Sequence, residues 1–390
     1  MLNLTLTENL SQRGVQPEKT YRKITMIDKT ARAANAPIDK VLEKIRRSDY
    51  VAPRNQLRFH HNRNEDGRSL GYSISLSDKG TEVHRFNTNQ HFNHQTASYL
   101  GSGLKEYSRH LHETNQRELL VHNFNKQLER QEGRALIRTI GEDRKARAFL
   151  SSKYKVVDDA EVFAPVVEMI AKDSNKYRTL GGQRTDTRTY LKFISREPIF
   201  QLGERTCYAG FQGGNSEVGK GSASIKAFIF DSFCENGCTF GNLEMFNVKF
   251  RHVGADISTP FGEVFDELQL QQSQQIVHAL KQAVAKVLDP STHSEIADLL
   301  VRGANRRITG DMGAVLKGVG AKFKLTKAEQ EDILLTADEK EPHAYGVQAA
   351  ITKLAQEASS YDRRAELEEI GGKVLTMSDN QWNSIAALTK

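Results

Sequence analysis

ALIRTIGEDRKARAFLSSKYKVVDDAEVFAPVVEMIAK, residues 135–172, decides the fold class. Two short apolar runs, ALIRTI and KARAFLSS, flank the charged turn GEDR, and runs of that kind around a turn predict two strands. AEVFAPVVEMIAK then predicts a helix. Further along, TYLKFISREPIF (189–200) is a third strand candidate, and residues 207–254 supply several more between glycine and asparagine turns. Ile225, Ala227 and Ile229 alternate, as do Phe246, Val248 and Phe250, which is the two-residue period of a strand. Residues 134–260 therefore read as a central mixed α/β core, strand-rich and antiparallel, with one long helix packed on it.

On the C-terminal side, residues 261–390 read as a helical region. EVFDELQLQQSQQIVHALKQAVAKVL (263–288) places Leu268, Ile276, Leu280, Val284 and Val287 on one stripe. Thr292-x-x-Glu295 and Thr326-x-x-Glu329 both fit the capping box. AYGVQAAITKLAQEAS and RRAELEEIGGKVL continue the helices. On the N-terminal side, residues 1–75 read as a helical and loop extension. IDKVLEKIRRSDY (38–50) follows Pro37 and puts Ile38, Val41, Leu42 and Ile45 on one face. HHNRNEDGR, with its Asp66-Gly67 turn signal, reads as a loop or hairpin tip. Residues 76–133 read as a helical segment broken near Gly101 and Gly103. The expected class is α+β, a central core flanked by two helical regions.

Bulk properties narrow the setting. A chain of 390 residues can bury a sizeable core without a disulfide or metal staple. No apolar run approaches the roughly 18 residues needed to cross a bilayer, so no membrane partner is expected. The opening MLNLTLTENLSQRG lacks the basic start and apolar stretch of an export signal. Three cysteines, Cys207, Cys234 and Cys238, point to a reducing compartment and a cytoplasmic location. Residues 1–200 carry 35 Lys and Arg against 24 Asp and Glu, whereas residues 201–390 carry 20 against 25. A basic half suits a polyanionic partner, although solvated surface charge explains it equally well.

Familiar catalytic patterns are not found. GNSEVGKG (214–221) almost spells a phosphate-binding loop, but Gly221 stands where Ser or Thr should hold magnesium, and a strand-like SASIKAFIF follows where a helix is required. A glycine-rich hairpin is expected instead. Cys234-x-x-x-Cys238 with His252 lacks the usual zinc spacing, and buried reduced thiols are expected there. His91-x-x-His94, with His84 upstream, has no acidic ligand beside it. Asp158 and Asp159 are adjacent, so on a strand they would diverge, which suits a turn better than a two-metal site. The expectation is a chain with no catalytic residue, no metal and no cofactor.

Lys176 to Arg196, KYRTLGGQRTDTRTYLKFISR, is the stretch that suggests a partner. Lys176, Arg178, Arg184, Arg188, Lys192 and Arg196 stand against Asp186 alone, with Tyr177, Tyr190 and Phe193 interleaved. Cations neutralise phosphates, and aromatic faces stack on bases without reading sequence. Lys220 and Lys226 would extend the track, and Lys249 and Arg251 share an alternating strand face. The plain alternative is an exposed basic loop beside a strand whose rings face the core.

Several segments together resemble the phage/plasmid-like protein family known as domain of unknown function 932. They are FNHQTASYLGSGLKEYSRHL (92–111), ALIRTIGEDRKARAFLSSKYKVVDDAEV (135–162), GGNSEVGKGSASIKAF (213–228), FCENG (233–237), KFRHVG (249–254) and YGVQAAITKLAQEASSYDRRAELEEIGGKVL (345–375). The resemblance implies mobile DNA in a bacterial host cell and brings no agreed site. The layout of two strands, a helix and an antiparallel sheet is also similar to that of single-strand annealing proteins. The expected function is non-enzymatic nucleic-acid binding, to single-stranded DNA rather than duplex, in phage or plasmid recombination, with self-association into a homo-oligomer. The alternatives are a structural or protein-interaction factor of a mobile element, or a metal-dependent enzyme with a dispersed site.

Overall fold

Arg47–Pro53, in part expected to end a helix, instead form strand β1 in the computed structural model. The structure describes residues 47–389 apart from 79, 102, 142, 174, 203–204, 232–235, 241–246, 251–277, 279 and 338–341. The rest of the helix expected over 38–50, residues 38–46, lies outside them. Three more strands follow: β2 (Leu57–Arg63) and most of β3 (Ser69–Asp78) lie where a helical and loop extension was expected, and the end of β3 and β4 (Thr81–Asn87) lie in the segment 76–133 expected to be helical. Their cause is a two-residue alternation, since Leu57, Phe59, Tyr72, Ile74, Leu76 and Phe86 all point into one core. Interspersed serines and histidines keep that alternation inconspicuous in the sequence. The Asp66-Gly67 turn does close a hairpin, with Gly67 at a φ of +76°.

Helices α1 (Gln90–Leu100), α2 (Leu104–Glu113) and α3 (Arg117–Glu129) come next, then β5 (Arg134–Ile140) and β6 (Lys145–Ser151). β1, β5 and β6 form one antiparallel sheet, and β2, β3 and β4 another. β5 lies in the middle of its sheet and is buried on both faces. Ala135 and Ile137 face the helices together with Phe92, Phe124 and Phe149. Leu136 faces the other way, with Val51, Ala148, Leu150 and Val218. That second face carries Arg138.

α4 (Asp159–Lys172) starts at the paired aspartates, which open a helix and do not lie on a strand. Asp158 stands at the N-cap position, and Asp159 and Glu161 lie in the first turn, where acidic groups suit the helix dipole. Val162, Phe163, Val166, Val167 and Ile170 make its buried stripe. They pack on the largest sheet, built from β7 (Tyr177–Arg184), β8 (Thr189–Ser195), β9 (Phe200–Leu202), β10 (Arg205–Asn215), β11 (Ala223–Asp231), β12 (Asn236–Phe240) and β13 (Asn247–Phe250). The strand order is β12-β11-β10-β8-β7, with β13 also on β11 and β9 on β10. One face presents Leu191, Phe193, Ala209, Phe211, Ile225, Ala227 and Ile229 to α4. The opposite face presents Tyr190, Lys192, Gln212, Lys226 and Phe228, because adjacent residues of a strand alternate.

β8 and β10, paired antiparallel, approach with almost no clearance at Gly210: a Cβ there would fall 1.8 Å from the Phe193 carbonyl oxygen. Gly210→Ala is therefore expected to cost about 3 kcal/mol, as overpacking of a close contact does. Chemical denaturation measures it, and a loss below about 1 kcal/mol contradicts the close approach.

The C-terminal part is helical where described. Residues 280–287 bury Leu280, Val284 and Val287 on the central core. α5 (Pro290–Asn305), α6 (Met312–Phe323), α7 (Lys327–Thr336), α8 (Ala344–Gln356), α9 (Tyr361–Leu375) and α10 (Asp379–Ala386) follow. Thr326 and Glu329 form the expected capping box. Thr292 does not, because Asp289 caps α5 through the Ser291 amide and Pro290 begins the helix. Thr292 lies inside the helix and donates to the Lys286 carbonyl. An additional box joins Ser378 and Gln381.

Candidate nucleic-acid interface

The hairpin loop between β10 and β11 is GNSEVGKGS, and much of it is inside the protein. Asn215, Ser216, Glu217 and Val218 are buried, while Gly219 and Lys220 reach solvent. Glu217 accepts from the Asp159 amide at 2.8 Å and pairs with Arg147 of β6. The Glu217 carbonyl accepts from Arg138 Nη1 at 2.8 Å. The Val218 carbonyl accepts from Gln95 Nε2 at 2.6 Å and faces His91 Nε2 at 3.2 Å, both on α1. Tyr154 donates to the Ser216 carbonyl at 3.0 Å. The loop is a clasp between the first sheet, α1 and α4, and its buried residues cradle no phosphate.

Arg138 is the hub of this junction. Its side chain is 1% exposed and bonds Asp49 Oδ1 at 2.9 Å and Asp158 Oδ1 at 2.6 Å. Beside it, Asp159 accepts from Thr189 Oγ1 at 2.6 Å, Asn215 Nδ2 at 3.0 Å and Arg184 Nε at 3.3 Å. Burial, reinforced by the Glu217 carboxylate, pushes the Asp159 carboxyl above the usual carboxylate range.

The cations nominated from sequence do not form one track. Arg184 is engaged by Asp159. Lys192 is buried, with its ammonium 2.5 and 2.7 Å from the two Glu368 oxygens. Lys226 lies 2.5 Å from Glu369 Oε2. The Tyr190 ring is buried against Tyr361, and its hydroxyl donates to Asp362 at 3.0 Å, so it has no face to offer a base. Tyr177 packs at the edge of the central core. Lys249 is on β13, and Arg251 lies outside the described residues. Helix α9 lies over the middle of the expected track, and Asp362, Glu368 and Glu369 are on it.

What remains is split between two ends of the sheet. Lys176 is exposed at 3.4 Å from Asp173, Arg178 stands 6.0 Å from the Tyr208 ring, and Arg196 follows β8. About 26 Å from Arg196 along β8, eight residues at roughly 3.3 Å each, lie Arg188 and Lys220. Neither pairs with a carboxylate among the described residues. The Arg188 guanidinium rests on Gly221 so closely that any Cβ there would overlap it, and its Nε is buried without a partner. Lys220 stands at the loop tip, its amide held by Ser216 Oγ at 2.9 Å.

The sequence reading passed over the buried clasp residues Arg138, Arg147, Gln95 and Glu217. One signal was available: Glu217 and Val218 interrupt a glycine-rich hairpin with a charge and a branched apolar group, which a solvated tip does not need. Cys207 and Cys238 are buried free thiols, and Cys234 lies outside the described residues. Among the described residues, no three His, Cys, Asp or Glu side chains gather as a metal site would require. No described helix is long and apolar enough to cross a membrane.

A model of the family described as Domain of unknown function (DUF932) matches residues 148–372. No curated protein and no solved structure matches the chain. The matched region begins inside β6, takes in the central sheet and the glycine clasp, and ends inside α9.

Proposed function

We propose, for a chain that belongs to the DUF932 family, non-enzymatic binding of single-stranded nucleic acid at the loop end of the seven-stranded sheet. The observation that carries the reading is the pair Arg188 and Lys220, cations with no carboxylate partner among the described residues. Lys176, Arg184, Lys192 and Lys226 each pair with a carboxylate of the same chain. Rigid support also favours the reading, because the clasp anchors the loop to three other elements. The role proposed is handling of single strands in phage or plasmid recombination in a bacterial cytoplasm, with copies of the chain associating along the strand.

Fluorescence anisotropy with a labelled oligothymidylate, titrated over a range of salt concentrations, tests this. Each phosphate contact on a single strand contributes a slope of about −0.7 in log affinity against log salt. Lys220→Ala combined with Arg188→Gln is expected to flatten the slope by about 1.4. Lys176→Ala, at the other end of the sheet, is expected to leave it unchanged. An unaltered slope in the double variant, or a wild type that does not bind, removes the reading and favours a protein-interaction role.

A further inference from the structure

Helix α1 brings two histidines to the same loop. Asn89 caps its first turn by accepting from the Phe92 amide, which directs the following residues toward the clasp. His91 is seated on the Val218 carbonyl, two residues before Lys220. His94 follows at the i+3 position, hence on the same side of the helix. Gln95 fixes α1 in register by donating to Val218 and accepting from the Phe149 amide at 3.0 Å.

Resting on the binding reading above, we infer that anion binding at this surface is coupled to proton uptake by His91 and His94, so that affinity for single strands rises in mild acid.

Cations approach the two histidines from the clasp and from α2. Lys220 comes from the clasp, and Lys105, Arg109 and His112 come from α2. Asp186, on the β7–β8 turn, is a carboxylate that acts on His91. Glu106 and Glu113 are occupied by Arg109 at 2.6 and 3.9 Å. Burial first, then neighbouring positive charge, holds both imidazoles below the ordinary histidine value, although the Val218 carbonyl pulls His91 the other way. Near pH 7 both are therefore neutral, and the site carries only its permanent cations.

A phosphodiester beside them supplies the missing anion and raises both values in the complex. The complex then holds more protons than the free protein between the two values. Affinity consequently increases as pH falls through the bound-state value and levels off below the free-state value. A gap of about one unit at one histidine corresponds to about tenfold.

Anisotropy at fixed ionic strength is expected to give about tenfold tighter oligothymidylate binding at pH 5.5 than at pH 7.5. In His91→Gln/His94→Gln the gain should shrink below about twofold while binding at pH 7.5 persists; glutamine at 91 can still donate to Val218. Calorimetry of the wild type in buffers of different ionisation enthalpy reads proton uptake directly, without any variant. Salt-dependent binding with no proton uptake, or with the same pH gain in the double variant, overturns the coupling and leaves the binding reading intact. No binding at any pH overturns both.

Discussion

Arg138→Met is expected to lower the free energy of unfolding by about 3–5 kcal/mol, the cost of breaking a buried ionic cluster from one side. The arginine is 1% exposed, and it bonds Asp49 on β1, Asp158 at the start of α4 and the Glu217 carbonyl of the clasp. Removing it leaves two carboxylates and a carbonyl facing an apolar side chain. Arg138→Lys should recover little, because a single ammonium cannot reproduce three donors spread over a planar guanidinium. Chemical denaturation followed by circular dichroism measures the loss. A change below about 1 kcal/mol would show that the junction is not what couples the first sheet to the rest. Arg138→Met paired with Asp49→Leu should recover part of the loss, which identifies the stranded charge as its source.

The second large effect is expected at Lys192 and Glu368, which meet beneath α9. Glu368→Leu strands an ammonium that is 3% exposed, between the Phe228 and Tyr361 rings at 5.0 and 5.5 Å. A loss of about 3–5 kcal/mol near neutral pH is expected. Lys192→Met should cost less, since Arg364 still reaches Glu368 at 3.2 Å. The double replacement by apolar residues should recover most of either loss.

A pH signature separates these cases. Burial pulls Lys192 down to about 8 even with Glu368 opposing it, and without Glu368 burial and the Arg364 charge both act downward. The folded variant then holds fewer protons than the unfolded chain between its lowered value and about 10.4, the unfolded lysine value. Its stability therefore rises with pH across that window. Denaturation midpoints of Glu368→Leu that stay flat from pH 7 to pH 10 would contradict a buried, unpaired amine.

Lys192 and Lys226 also explain why the charge asymmetry of the sequence misleads. The excess of positive charge in the first half is consistent with a polyanion footprint, but part of it is neutralised by the acidic half of the same chain. Glu368 and Glu369 answer Lys192 and Lys226, and Asp362 accepts from Thr187 and Tyr190. RRAELEEI was visible as an acidic helix, yet nothing in it says which strand it meets. The remaining pair, Arg188 and Lys220, becomes distinct only once those contacts are known.

Local rules explain which elements could be read. β5, β6, α4 and β11 have strong apolar periodicities set by neighbouring residues, and the Asp66-Gly67 hairpin and the Thr326 capping box follow from turn and cap chemistry. β2 and β3 obey the same alternation in a polar background, where serines and histidines mask it. At α5 the local signal was ambiguous, and Asp289-Pro290 outcompetes Thr292 because proline is preorganised for the first helical position.

The sequence by itself determined the α+β class, several strands of the central core, the glycine hairpin and the family whose model covers residues 148–372, but not β7, where a basic loop was expected. Only the tertiary structure decided which charges are spent and which are available. Periodicity and turn preference act over a few residues, whereas Lys192 and Lys226 meet their carboxylates 176 and 143 residues away. Desolvation makes those distant pairings obligatory, since a buried cation without its partner costs several kcal/mol.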